Sequence, residues 1–138
     1  MQQCSLRSVF CLAVLLALVA GCGQSTSSGS ASGTQNPCEK ASSIRGNIVT
    51  ISHTASGKFI GGFLLDGTKE NQALFDSVYV RVDSATQVFE KQQNECRTLS
   101  FTDLKPGQRV QVQSTGTVAQ SYPPQIQATE VVILPPKA

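Results

Sequence analysis

The chain has few of the residues from which active sites and nucleic-acid interfaces are usually built. It contains no tryptophan, one methionine and one histidine, and charged residues make up 14% of its 138 residues. Lysine and arginine are spread singly along it, and the formal net charge is only +2. Because single-stranded nucleic acid requires a cationic groove with stacking aromatic residues, the sequence predicts no nucleic-acid partner.

Motifs for catalysis and for metal binding are also missing from the sequence. The single histidine, His53, stands in a polar Ser-His-Thr context, and no Gly-x-Ser-x-Gly element marks a nucleophile. The aspartates do not follow the spacing of a calcium loop, and there is no Cys-x-x-Cys pair. We therefore predict no catalytic residue, no metal and no cofactor, and a protein that is not an enzyme.

Long apolar runs are absent except for one near the amino terminus. Residues 9–20 are almost entirely Val, Phe, Cys, Leu and Ala and follow the cationic Arg7. About a dozen apolar residues suit the central region of a signal peptide, whereas a membrane-spanning helix needs about 20. Ala20 and Gly21 supply the small residues of a cleavage site. A simple secretory signal and an uncleaved anchor are the alternatives.

The four residues Val19-Ala20-Gly21-Cys22 resemble the lipobox of bacterial lipoproteins. That resemblance implies that residues 1–21 are a lipoprotein signal peptide and that Cys22 is diacylated, with palmitate-type chains. Two or more acyl chains hold a protein stably on a membrane. The implied location is the extracytoplasmic side of the cell envelope, with the membrane as a partner through the amino-terminal lipid.

A polar tract follows Cys22. Residues 23–36 are only Gly, Ser, Thr, Gln, Ala and Asn, a composition that buries too little apolar surface to offset its ordering entropy. We interpret residues 22–37 as the lipidated cysteine and a flexible, disordered linker, with a coil length of roughly 20 Å. The folded domain then comprises residues 38–138.

Five cysteines are present, and only two remain for the folded domain. Cys4 and Cys11 lie in the predicted signal peptide, and Cys22 carries the lipid. Cys38 and Cys96 then form a matched pair in an oxidising compartment, which predicts a disulfide. Closing a loop of this length stabilises a domain by about 4 kcal/mol in the chain-entropy model. Redox chemistry at the two thiols is the alternative.

Apolar residues in the domain recur with a period of two, which is typical of half-buried strands. Val78, Val80 and Val82 alternate with polar neighbours, and no window supports a long amphipathic helix. The sequence predicts an all-β fold, a small five-stranded antiparallel barrel with one short helical turn over 100–104. In the last strand, apolar residues of both parities indicate a bulge near Glu130 or burial on both faces. The predicted strands are residues 44–51, 59–65, 77–83, 110–113 and 126–134.

Several elements of the domain resemble the YobA-like OB-fold domains of bacterial lipoproteins, a family of unknown function. The resemblance implies an OB-like barrel in an envelope lipoprotein and brings no catalytic residues with it. The residues that carry it are Gly46-x-Ile48, Val80-x-Val82, Thr86-x-Val88, Phe101-x-x-Leu104-Lys105-x-Gly107-x-x-Val110-x-Val112, Ser121-Tyr122-Pro123 and Gln125-x-Gln127-Ala128.

Three residues are candidates for binding. Tyr79 and Arg81 share the face opposite the buried valines, where an aromatic ring beside a guanidinium suits a sugar, peptide or anion, although cross-strand pairing alone explains a tyrosine there. Tyr122 precedes two prolines in the loop before the last strand. We predict a monomeric binding or accessory module for an envelope protein, peptide or glycan; the alternatives are a thiol/disulfide redox protein and a purely structural envelope component.

Overall fold

The computed structural model describes residues 35–137. The predicted signal peptide, Cys22 and most of the predicted linker lie outside the described residues. Within them, the helices are two three-residue 3-10 helices, Pro37–Glu39 and Phe101–Asp103, and none is long or apolar enough to cross a bilayer. The second of these helices coincides with the predicted helical turn.

Seven strands form one sheet, which confirms the all-β class. Each is short, and most alternate buried and exposed residues. The strands are β1 Arg45–Ser52, β2 Phe59–Asp66, β3 Ser77–Asp83, β4 Gln87–Gln92, β5 Glu95–Leu99, β6 Arg109–Ala119 and β7 Gln125–Ile133.

Five of the seven strands are joined in a closed cycle of pairings. β1 pairs with β2 and with β6, and β2 pairs with β3, all antiparallel. β6 pairs antiparallel with β7, and β7 closes the cycle by pairing with β3 in parallel. We call this cycle the ring. It leaves β1, β2, β3, β6 and β7 without a free edge.

The predicted count of five antiparallel strands is wrong, because residues 87–99 form an additional hairpin. β4 adds to β7 in parallel, and β5 pairs with β4 on the outer side. The hairpin turns at Gln93, whose φ is 51°, in a Gln-Asn turn that suits the two-residue connections of twisted hairpins. Two of the sheet's pairings are therefore parallel.

The core of the ring is built by the predicted alternation. Val78, Val80 and Val82 are all at most 1% exposed, and Phe63 is completely buried. The alternation works because side chains at every second position of a strand share one face. The buried cluster consists of Ile44, Ile48, Phe63, Leu65, Val78, Val80, Val82, Val88, Phe101, Leu104, Val110, Val112, Ile126, Ala128, Val131 and Ile133.

The last strand carries the predicted bulge. Gln113 faces Glu130 and the next residue of β6 faces Ala128, so Thr129 is the extra residue. Beyond it, Val131, Val132 and Ile133 are all buried, hence β7 is covered on both faces. Val132 packs outside the ring with Cys38 and Phe89 in a second small cluster.

The segment that precedes β1 crosses the outer face of β6. Gln111 is only 4% exposed although its position alternates with the buried valines, because its amide donates to the backbone oxygen of Lys40. Arg45 Nε donates to the other end of the same amide at 3.0 Å. Ser42 donates to the carbonyl of Val112 at 2.6 Å. The chain therefore enters the domain along β6.

Candidate functional site

A cleft of about 800 Å³ lies where β1 pairs with β6 in the ring. There, β1 and β6 begin while β2 and β7 end, as the antiparallel register of Asn47 with Asp66 and with Arg109 requires. Gly46 permits the close approach of these ends, since a Cβ on it would overlap the carbonyl of Asp66. The lining residues are Asn47, Lys69, Glu70, Glu90, Lys91, Gln92, Gln93, Lys105, Pro106, Gly107, Gln108, Arg109, Ile133, Leu134, Pro135, Pro136 and Lys137.

A second, smaller cavity of about 300 Å³ adjoins the cleft. Lys91, Arg109, Leu134 and Pro135 line both. The remainder of its lining comes from the entering segment, residues 38–41, and from β1 and β6. We call the lining of the two cavities together the basic face.

The basic face concentrates the cations of the domain. Of the ten lysines and arginines in residues 35–137, seven line it, against three of the nine acidic residues. The rest of the described domain therefore carries three cations and six acids. The seven are Lys40, Arg45, Lys69, Lys91, Lys105, Arg109 and Lys137, and the acids are Glu39, Glu70 and Glu90.

This clustering corrects the expectation that the cations are dispersed. In the sequence the seven are separated by at least three intervening residues. They meet in space because the entering segment, the β2–β3 connection, the end of β4 and the start of β6 all reach the same part of the sheet. No local sequence pattern signals this, and only strand order and register would have found it.

One ion pair is built into the basic face. Arg109 Nε donates to Glu70 Oε1 at 2.5 Å and Nη2 donates to Oε2 at 2.9 Å, and the two side chains are 19% and 4% exposed. The hydrogen bonds from Arg109 lower the pKa of Glu70, and those to Glu70 raise the pKa of Arg109. The pair fastens the connection between β2 and β3 to β6.

Three lysines of the cleft form no ion pair within the described residues. Within residues 35–137 the ion pairs are Arg109–Glu70 and Lys40–Glu130, so Lys69, Lys91 and Lys105 have no carboxylate at ion-pair distance. Each of these three residues is partly or fully exposed. The charge of Arg109, by contrast, is balanced by Glu70, and this ion pair helps to hold the wall of the cleft in place.

The carboxyl-terminal segment gives the cleft apolar walls. Leu134 donates from its backbone to the Arg109 carbonyl at 2.8 Å, and Lys137 Nζ donates to the Lys69 carbonyl at 3.0 Å. Pro135 and Pro136 lie between these fixed points and line the cleft. The lining of the cleft thus combines apolar walls with lysine side chains.

The predicted cysteine pair is joined. Cys38 and Cys96 form a disulfide of 2.00 Å that links the first 3-10 helix to β5. Cys38 is 4% exposed and packs on Phe89 and Val132. Reactive cysteines need access and an electropositive, partly exposed setting, so this burial favours a structural role for the bond.

The three predicted binding residues lie away from the basic face. Tyr79 is half-buried on β3, and its ring crosses Gly62, where a Cβ would meet it. Arg81 is exposed, with its guanidinium carbon 4.7 Å from the centre of the Phe59 ring. Tyr122 is fully exposed. None of the three lines either cavity.

The candidates for metal binding are few among the described residues. No group of three or more His, Cys, Asp or Glu side chains in residues 35–137 is arranged to hold a metal ion. His53 is exposed and stacks on Phe101, with ring centres 5.1 Å apart. What the assembled side chains can do is attract and hold an anion.

The fold and the site define a small all-β domain with a cationic cleft beside the β1–β6 pairing. The chain belongs to a family described as proteins of unknown function, DUF3221, which matches residues 67–135. That match covers half of the chain, from the β2–β3 connection to the carboxyl-terminal segment, and contains most of the cleft. No curated protein and no solved structure matches the chain.

Proposed function

We propose that the protein is an exported, lipid-anchored envelope lipoprotein whose domain is a non-enzymatic binding module for an anionic partner. The lipobox-like residues Val19–Cys22 and the polar tract after them support the anchor. The disulfide supports export, because such bonds persist in oxidising compartments. The basic face is the binding site in this proposal.

The pairing order of the ring supports an OB-like barrel. The cycle runs β1, β2, β3, β7, β6 and back to β1, with four antiparallel pairings and one parallel pairing. The β4–β5 hairpin is then an insertion between β3 and β6. In this view the hairpin extends the barrel and supplies one wall of the cleft through Lys91.

The separation of charge carries the binding proposal. A cleft of one charge sign with low-dielectric walls concentrates ions of the other sign and speeds their association. Seven of the ten described cations line this face, and its walls include Ile133, Leu134 and two prolines. An anionic group entering the cleft meets lysines without carboxylate partners.

Two measurements test the proposal. Labelling with a radioactive fatty acid, followed by membrane fractionation, should show that the wild-type chain is acylated and that Cys22→Ser is not. Soluble poly-glutamate should bind the chain from residue 22 onwards carrying Cys22→Ser, and 500 mM salt should abolish that binding because the Debye length falls well below 10 Å.

Substitutions locate the binding surface. Lys91→Glu with Lys105→Glu should weaken poly-glutamate binding at least tenfold, whereas Tyr79→Ala and Tyr122→Ala should leave it within twofold. Loss of binding in the tyrosine variants with none in the lysine variant would move the site to β3 and the loop before β7. Acylation that persists in Cys22→Ser would contradict the assignment of Cys22 as the residue that carries the lipid.

A further inference from the structure

The chain enters the domain at the basic face. Cys38 and Lys40 line the smaller cavity, and the disulfide to Cys96 fixes the point of entry on the folded domain. In the proposed function, the residues before Cys38 tether the domain to a lipid. The proposed tether therefore joins the domain beside its cationic cleft.

We propose that the basic face binds the phosphate headgroups of anionic lipids in the same membrane that holds the anchor. This inference rests on the proposed function and names its anionic partner. Lysine ammonium groups are compact charges that bind phosphate without demanding one geometry. Lys69, Lys91 and Lys105 supply three such ammonium groups beside the apolar walls of the cleft.

The distribution of charge favours a surface over a soluble partner. With the ion pair between Lys40 and Glu130 set aside, the basic face carries three more cations than acids, while the remainder of the described domain carries two more acids than cations. An anionic membrane attracts the basic face and repels the acidic remainder, and these opposite forces orient the domain. Each basic residue near such a surface strengthens binding about fivefold.

Tethering makes even a weak attraction sufficient. A short flexible linker holds a second binding site at an effective concentration in the millimolar range. Headgroups of the anchoring membrane are always within that reach, whereas a soluble ligand must be supplied. The domain would then rest on the membrane with its cleft against the lipid.

The test uses the chain from residue 22 with Cys22→Ser, which contains every described residue and carries no lipid. It is sedimented with vesicles of phosphatidylcholine alone or with about 30% phosphatidylglycerol, at 50 mM and 500 mM salt. We expect binding to the anionic vesicles at low salt and a loss of at least fivefold on pure phosphatidylcholine or at high salt.

Two variants of equal charge locate the contact. Lys91→Glu with Lys105→Glu removes two cations of the basic face, whereas Lys58→Glu with Arg81→Glu removes two at the far end of β2 and β3. Arg81 faces Gly62, four residues from Asp66 along β2, and Lys58 precedes β2, so the control charges lie about 13 and about 26 Å along the strands from the cleft. The first pair should lower vesicle binding at least 25-fold, and the control pair less than threefold.

Each other outcome overturns the inference. Equal losses in the two variants would mean attraction by net charge alone, and equal binding to both vesicle types would mean that the phosphate charge is not recognised. Saturable binding of free glycerol phosphate without vesicle binding would assign the cleft to a soluble anion. Because this chain is not acylated, none of these results depends on Cys22, and poly-glutamate binding without vesicle binding would leave the proposed function standing.

Discussion

The guanidinium of Arg109, at the start of β6, binds both carboxylate oxygens of Glu70, which lies in the connection between β2 and β3. The two residues are 39 positions apart, and Glu70 is 4% exposed at its side chain. A bidentate pair of this kind fixes geometry as well as charge. It holds the wall of the cleft that carries Lys69.

Removing the carboxylate from this pair should destabilise the domain. Glu70→Gln leaves the Arg109 guanidinium partly buried without its anion, which costs about 1–3 kcal/mol. Urea unfolding followed by circular dichroism measures the change. Glu95→Gln is the matched control, because Glu95 is exposed on β5, and it should change stability by less than about 0.5 kcal/mol. Equal effects of the two substitutions would mean that the pair contributes nothing specific.

The same pair predicts the response to acid. The hydrogen bonds from Arg109 lower the pKa of Glu70 from its ordinary value of 4.5. A carboxyl group with a lowered folded-state pKa adds stability that is complete well above pH 4.5 and is lost as the pH falls through the lowered value. The wild-type protein should therefore lose more stability between about pH 7 and about pH 3 than Glu70→Gln does. Urea midpoints at the two pH values measure this, and parallel losses in both proteins would contradict it.

The disulfide should contribute to stability and leave no reactive thiol. Replacing Cys38 and Cys96 by serine opens a loop with a sequence separation of 58 and should cost about 4 kcal/mol in the chain-entropy model. In the Cys22→Ser chain from residue 22, a thiol reagent under non-reducing conditions should find no free thiol. Two readily titrated thiols there would contradict the structural role and favour the redox alternative.

The sequence predicted the inner strands well and the periphery poorly, for a physical reason. Val78, Val80 and Val82 face a dry core, so their period of two is unambiguous. β5 has little burial, with an intermediate Cys96 and an exposed Glu95, Arg97 and Thr98, and such a strand leaves no apolar pattern to read. The hairpin was therefore missed although the cysteine within it was identified.

The candidate site could not be predicted from local sequence patterns, because it depends on the order and register of the strands. Lys69, Lys91 and Lys105 each stand alone in the sequence, in turns and at a strand end. They become neighbours only when β1 and β6 begin where β2, β4 and β7 end. The last strand, by contrast, could be read from its sequence, because apolar residues of both parities indicate a bulge or burial on both faces, and β7 has both.

The ion pair between Lys40 and Glu130 predicts that removing one partner destabilises the domain more than removing the other. Their side chains are 35% and 14% exposed, Lys40 Nζ lies 2.6 Å from Glu130 Oε1, and Glu130 Oε2 is buried without a hydrogen-bond partner among the described residues. The carboxylate depends on the lysine more than the lysine depends on the carboxylate, because Lys40 is the more exposed of the two and Glu130 Oε2 is buried. Breaking a pair costs most when the charge left behind is the buried one.

Lys40→Met should therefore destabilise the domain by about 2 kcal/mol or more, whereas Glu130→Gln should cost about 1 kcal/mol. The double substitution should recover part of the Lys40→Met loss, since it removes the stranded charge. Urea unfolding of the two single variants and the double variant gives the coupling energy directly. A larger loss in Glu130→Gln than in Lys40→Met would show that the lysine is the dependent partner, and the order of burial would then not determine the cost.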